Sequence, residues 1–350
     1  MPPSRLLWIH GIPGAGKTIF ASFLIDKCRG HVRTMTPKAA QCVYYYCSYR
    51  HNRDESEAFL RWTVSQLCRA LGHVPPKILA SCRMDHHPTI DALMDGLVEL
   101  LTFVDVLYLM VDGVDESKEP RDQLLDVLVR MAISPQFAKV RLLATSRLYA
   151  DIKTRLGPCS MTVPMSNEEV DKDIGKFVSR EINRTWTEPW RVSLREQVVE
   201  KLVDGAKGMF QWASCQVRIL NRKLDASAIE QALQELPKDL DETYARILGE
   251  IPKDYRDIAR NVFVWLNGVT ESNSSIHVFG ALPTGLLVHA INFQHLSPSQ
   301  PGACPTSTGL SKIEEICGCL ITVISADQKL KIYYDAVTFS HYTVFVRGES

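Results

Sequence analysis

The chain has 350 residues, 45% of them hydrophobic and 23% charged, with 40 lysines and arginines set against 40 aspartates and glutamates. That is the composition of an ordinary folded protein of two or three domains. The cancelled charge excludes bulk electrostatic binding to nucleic acid or a membrane surface, and no apolar run reaches the roughly 18 residues that a spanning helix needs.

The first apolar run, Leu6–Ile12, is too short for a secretion signal and runs straight into a glycine-rich loop, which predicts a cytoplasmic protein. Its strand part, Leu6-Leu7-Trp8-Ile9, precedes Gly11-Ile12-Pro13-Gly14-Ala15-Gly16-Lys17-Thr18, a complete G-x-x-x-x-G-K-[ST] phosphate-binding loop. A helix-compatible run, Ile19–Leu24, follows. Glycines in such a loop let successive backbone N–H groups turn inward around phosphate oxygens, and the helix that follows aims its positive end at the same anion. Lys17 is placed to reach the β- and γ-phosphates, and the Thr18 hydroxyl to ligate Mg²⁺.

Val43–Cys47 reads as a second strand, 54–71 and 89–102 as helices, and Val104–Val111 as a continuous apolar strand of the kind buried on both faces. That strand runs into Asp112-Gly113-Val114-Asp115-Glu116. An acid at the carboxyl end of a parallel strand lies where the ligands of such sheets bind, so Asp112 is expected to hold Mg²⁺ through a water. Asp115 and Glu116 are the candidates for the general base that orients the attacking water. A helix over 120–132 leads to a further buried strand, Val140–Ala144. It ends in Thr145-Ser146-Arg147, where Ser146 is a candidate nucleotide contact and Arg147 is placed to reach a γ-phosphate. Alternating strands and helices with apolar strands predict an α/β parallel sheet covered by helices on both faces.

After about Pro164 the pattern changes. Ser166-Asn167-Glu168-Glu169 reads as a helix start with early acids. Helices are expected over 168–184, 191–204, 208–223, 226–235, 239–248 and 253–266, with no convincing strand among them. Leu296–Ser311 reads as an exposed loop, and Leu320–Ile324 with Leu330–Tyr334 as a hairpin. A helix followed by a hairpin after a helical bundle fits a winged-helix-like unit. The expected division is 1–164, 165–250 and 251–350. The ten cysteines contain no C-x-x-C pair and read as reduced, small packing residues. Cys82, His86 and His87 lack a fourth ligand at a recognisable metal spacing.

Together, "LWIHGIPGAGKTIFAS", "LYLMVDGVDE", "LLATSRLYADI", "KGMFQWASCQVRIL" (207–220), "LPKDLDETYARIL" (236–248) and "FSHYTV" (339–344) resemble a NACHT-type STAND NTPase of the fungal kind. Such proteins are intracellular signalling switches related to animal NOD-like receptors and to heterokaryon-incompatibility proteins. The resemblance implies binding of ATP or another nucleoside triphosphate (GTP included) with Mg²⁺, slow hydrolysis, and homo-oligomerisation on activation, with other signalling proteins as further partners. It also implies that His341 contacts the β-phosphate in a resting, ADP-bound state. Relatives carry an upstream segment, an effector domain and C-terminal repeats, so the chain reads as the central switch cassette. Leu148 after Arg147, where many relatives have proline, and Phe345–Ser350 after His341 depart from the family pattern.

Two other readings use the same residues. A small-molecule or polynucleotide kinase shares the loop, but the arginine-bearing lid such enzymes carry is not found after the sensor strand. An inactive fragment or a protein- or DNA-interaction module is the other. For DNA, the hairpin region offers only Lys312, Lys329, Lys331 and Arg347, so nucleic acid is not an expected partner.

Overall fold

The computed structural model describes residues 4–36, 38–83, 87–271, 282–294, 309–324 and 336–339. The chain divides into two compact units, Met1–Asn167 and Glu168–Ser350.

The first unit is a five-stranded, wholly parallel sheet: β1 (Leu6–His10), β2 (Ala40–Tyr46), β3 (Val106–Asp112), β4 (Val140–Ser146) and β5 (Ser160–Pro164), in the order β2-β3-β4-β1-β5. The central strands β3 and β4 are buried along nearly their whole length, which is why β3 appears in the sequence as a hydrophobic run and β4 as one interrupted only by the exposed Arg141. Helices α1 (Lys17–Arg33), α2 (Ser56–Leu71), α3 (Pro76–Arg83), α4 (Ile90–Leu100), α5 (Asp122–Ile133) and α6 (Ala150–Leu156) supply the crossovers. On α2, Phe59, Leu60, Val64 and Leu67 fall on the buried side, as the helical spacing predicts. Because all strands run the same way, the ends of β1, β3 and β4 emerge together. Ala144 pairs with both Trp8 and Val111, so Thr145 lies level with Ile9 on one side and, one residue beyond Val111, with Asp112 on the other.

The second unit begins with α7 (Glu168–Thr185), whose first turn carries Glu168, Glu169 and Asp171, the acids that a helix start favours. Helices α8 (Pro189–Ser193), α9 (Arg195–Ala206), α10 (Phe210–Asn221), α11 (Ala226–Gln234), α12 (Leu240–Glu250) and α13 (Arg256–Glu271) follow. The motif 207–220 has a structural purpose. Lys207 and Gly208 take left-handed φ values of 47° and 82° to turn the chain between α9 and α10. Trp212 then lies fully buried against Gly205, where a Cβ would come within 2.5 Å of its ring, and donates to the Pro237 carbonyl at 3.1 Å. The motif 236–248 opens with Asp239, whose carboxylate accepts from the Glu242 N–H at 2.8 Å and caps α12.

Beyond α13 come β6 (Leu282–Pro283), α14 (Thr284–Gln294), α15 (Leu310–Cys317), β7 (Ile321–Ile324) and β8 (Ala336–Phe339). The strands form an antiparallel sheet in the order β6-β8-β7. Helices followed by a small antiparallel sheet resemble the order expected there. The partner of β7 is Ala336–Phe339, whereas the expected strand Leu330–Tyr334 lies outside the described residues. So does His341. One continuous core, from Ile174 to Val337, underlies the bundle and the small sheet alike. Among the described residues no helix is long and apolar enough to cross a membrane.

Candidate functional site

The glycine-rich loop joins β1 to α1. Gly14 and Gly16 adopt φ values of 74° and 89°, a region that glycine enters freely and other residues rarely. Gly16 stands just ahead of the first helical turn, and the Phe20 N–H reaches its carbonyl at 2.9 Å, so α1 starts directly from the loop. Ala15 is fully buried. Gly11 is pressed from behind. Its N–H donates to the Ser146 carbonyl at 3.2 Å, and a Cβ added there would lie 3.1 Å from the Cβ of Met165. Met165, just past β5, donates its N–H to the His10 carbonyl at 2.7 Å.

Lys17 folds over the loop and donates to the carbonyls of Gly11 (2.9 Å) and Ile12 (3.0 Å). Burial pulls its pKa down. The acids Asp115, Asp112 and Glu116 oppose that shift, and Arg147 adds to it. His10 is also held below its ordinary value, by burial and then by the charges of Lys153 and Lys17. Burial, more than neighbouring charge, disfavours the charged forms of Lys17 and His10, and an anion beside them would offset that cost.

Asp112 is 6% exposed at the end of β3. Its carboxylate accepts from the Thr145 hydroxyl at 2.5 Å and from Thr18. The Gly113 N–H in turn donates to the Thr145 oxygen at 2.9 Å. Burial raises the Asp112 pKa, the two hydroxyl bonds pull against it, and the nearby Asp115 charge adds to the rise. Asp115 is committed to Arg147: its carboxylate takes the Arg147 backbone N–H at 3.0 Å and the Nε at 3.1 Å. Glu116 curls back over Gly113, whose absent side chain leaves room for it, with its Cδ 3.5 Å from where a Cβ would stand. Its carboxyl is pushed up to about 7, by burial first and then by Asp115 and Asp112.

The structure thus brings Lys17, Thr18, Asp112, Asp115, Glu116 and Arg147 into one neighbourhood. Ser146 is arranged differently from the sequence expectation. Strand alternation turns its hydroxyl toward Trp8, whose Nε1 donates to it at 2.8 Å, and it donates in turn to the Arg147 carbonyl. Thr145, not singled out from sequence, is the hydroxyl that meets Asp112. Arg121 was also missed. It is 2% exposed and donates to the Asp115 carbonyl at 2.5 Å, pairs with Asp151 at 3.0 Å and lies over the Tyr149 ring. The Tyr149 hydroxyl accepts from Arg147 at 3.2 Å, which closes the set around the acidic turn. A lone arginine after a proline carries no sequence signal for such a role.

The raised Glu116 pKa has a measurable consequence. The folded protein keeps a proton that the unfolded chain releases, so stability falls as pH rises from about 4.5 to about 7, by roughly 3 kcal/mol for this group. Asp112 acts in the same sense. Denaturant unfolding of the nucleotide-free protein at about pH 5 and about pH 8 should show that loss, and Glu116→Gln should reduce it. An unchanged pH dependence in the variant would mean that Glu116 is ionised throughout.

Residues 1–147 match the family model "Nephrocystin 3, N-terminal". Over 266 residues the chain is 26% identical to the vegetative incompatibility protein HET-E-1 of Podospora anserina; that stretch is 71% of this chain and 19% of that protein, so the chain spans about a fifth of the relative's length. Among solved structures, the Walker-type ATPase of Pyrococcus abyssi superposes with a TM-score of 0.43 at 12% identity, over 99% of this chain and 91% of that one. The Aeropyrum pernix ORC1 protein in complex with DNA gives 0.40 at 12% identity, over 99% and 86%. Superpositions this loose say nothing of ligand or partner. The two sequence matches, on a sheet that carries the phosphate loop and its acidic counterpart at the carboxyl ends of β1 and β3, make this chain a relative of the NACHT-type P-loop NTPases.

Proposed function

We propose that the chain is a nucleotide-operated signalling switch. It binds ATP or another nucleoside triphosphate with Mg²⁺, hydrolyses it slowly, and passes the state of the nucleotide to the elements after residue 168. Oligomerisation is its output. The observation that carries this reading is the meeting of Thr18 and Asp112 beneath a phosphate loop whose lysine is already turned inward.

The donor set fits Mg²⁺. A hydroxyl and a buried carboxylate are hard oxygen ligands, and Asp112, disfavoured as an anion by burial, gains from a cation beside it. Among the described residues no group of three or more His, Cys, Asp or Glu is arranged to hold a metal unaided, which suits an ion completed by phosphate oxygens. When bound, the ion would neutralise and orient those oxygens, with Thr18 and Asp112 as its protein ligands. The chain's own residues supply the rest. Lys17 leaves the loop carbonyls for the phosphates. The backbone N–H groups of residues 13–17 line the anion. Glu116 accepts a proton from the attacking water.

Arg147 gives the arrangement its switch character. Its guanidinium is paired with Asp115, and a γ-phosphate is a competing anion within the same neighbourhood. Gain or loss of that phosphate would therefore change what Arg147 and Asp115 hold. The division 1–164, 165–250 and 251–350 gives the receiving domains, and His341 is proposed as a contact to the β-phosphate in the resting state. The relative's name speaks of vegetative incompatibility, and signalling of that kind is the role proposed here.

The direct test is to denature protein purified from cells and identify what is released. Bound ADP is the expected result. Absence of any nucleotide, from protein that also fails to take up added ATP or GTP, would overturn the reading. Phosphate transfer to an acceptor faster than hydrolysis would replace it with a kinase.

A further inference from the structure

The segment between β2 and α2, residues 47–55, lies along the acidic turn 112–118 and is stitched to it at four places. The Cys47 N–H donates to the Asp112 carbonyl at 2.9 Å. The Tyr49 N–H donates to the Glu116 carboxylate. The Glu55 N–H donates to the Ser117 hydroxyl at 3.1 Å, and the Lys118 N–H to the Arg53 carbonyl at 3.1 Å. Glu116 is thus held in place by a backbone group that belongs to this segment.

What holds the segment is a buried acid. Glu55 is wholly inaccessible. Tyr45, on β2, donates its hydroxyl to Glu55 Oε2 at 2.5 Å, and His51, in the short 3-10 turn Tyr49–His51, bonds to Oε1. Arg53 lies 3.8 Å from Oε2. Burial alone would push the Glu55 carboxyl up, yet the bonds from His51 and Tyr45 hold it below the ordinary glutamate value. A carboxylate kept ionised with no access to water is costly unless each oxygen is met, and here both are. Its bonds tie the rigid strand β2 and the start of α2 to the turn that presents Tyr49.

We infer that Glu55 is a positioning residue for hydrolysis: with Tyr45 and His51 it anchors the 47–55 segment, whose Tyr49 N–H fixes the Glu116 carboxyl beside the phosphate loop. This rests on the proposed hydrolytic function and names one more residue on which that function depends. Glu55 acts through the backbone and does not meet the nucleotide, so its loss should disturb turnover and spare binding.

The test measures steady-state hydrolysis and nucleotide affinity of the full chain for wild type, Lys17→Ala, Glu55→Gln and Tyr45→Phe. The amide of Glu55→Gln keeps the volume and turns one acceptor into a donor facing donors. It should lower kcat about tenfold, the worth of one charge-assisted hydrogen bond, while KM and the Kd for nucleotide stay within about twofold. Tyr45→Phe removes a single donor and should lower kcat in the same direction by about threefold. If Glu55→Gln does not fold, Tyr45→Phe with His51→Gln decides. Unchanged kcat in the folded variants, or a raised KM at unchanged kcat, overturns the inference while a Lys17-dependent wild-type activity leaves the proposed function standing. Wild type that releases no phosphate, or that is matched by Lys17→Ala, overturns both.

Discussion

Replacing Lys17 with alanine is expected to weaken nucleotide binding by about a hundredfold or more, the largest effect of any single substitution on affinity. The estimate rests on two charge-assisted bonds, each worth about 1.5–3 kcal/mol, being lost to a doubly bridged phosphate. The charges around the loop explain why no neighbour replaces it. Arg147 is engaged by Asp115 and Tyr149, and the acids around the loop repel phosphate once Lys17 is gone. In the absence of nucleotide, Lys17 bridges the Gly11 and Ile12 carbonyls, so the variant also loosens the loop. Calorimetric titration with ADP and ATP measures the first effect, and thermal unfolding without nucleotide reports the second. Equal affinity in the two proteins would remove the phosphate-loop assignment.

Glu116→Gln should leave binding intact and reduce hydrolysis by roughly a hundredfold, the lower end of what a positioned general base contributes. Sequence offers Asp115 and Glu116 on equal terms. The geometry separates them. Asp115 is 7% exposed and holds both the backbone N–H and the guanidinium of Arg147, one on each carboxylate oxygen, so it is committed to that partner. Glu116 accepts from the Tyr49 N–H, and its proton affinity, pushed to about 7, matches the operating pH. Single-turnover hydrolysis with pre-bound nucleotide is the measurement. Full activity in Glu116→Gln together with loss in Asp115→Asn would transfer the base role to Asp115.

Much of this site was legible because its chemistry is local. The phosphate loop needs its glycines and lysine at fixed spacing, and strands buried on both faces announce themselves as apolar runs, so β1, β3 and β4 and their polar ends could be read directly. Strand β5 could not: Ser160–Pro164 is an edge strand, exposed along four of its five residues, and exposed residues carry no hydrophobic pattern. Short helices such as α3 and α6 fall below the length at which periodicity speaks. The orientation of Ser146 and the roles of Thr145, Arg121 and Glu55 depend on which face of a strand a side chain takes and on partners up to 138 residues distant. No linear spacing encodes those.

The seating of Met165 on Gly11 has a mechanical meaning. Strand β5 returns the backbone to the phosphate loop just before residue 168, where the Met165 N–H donates to the His10 carbonyl and the Met165 side chain closes on the space that a Gly11 side chain would need. The exit is thus held one residue ahead of the loop that, on the proposed reading, cradles phosphate, so a nucleotide that stiffened the cradle would stiffen the root of that connection in turn.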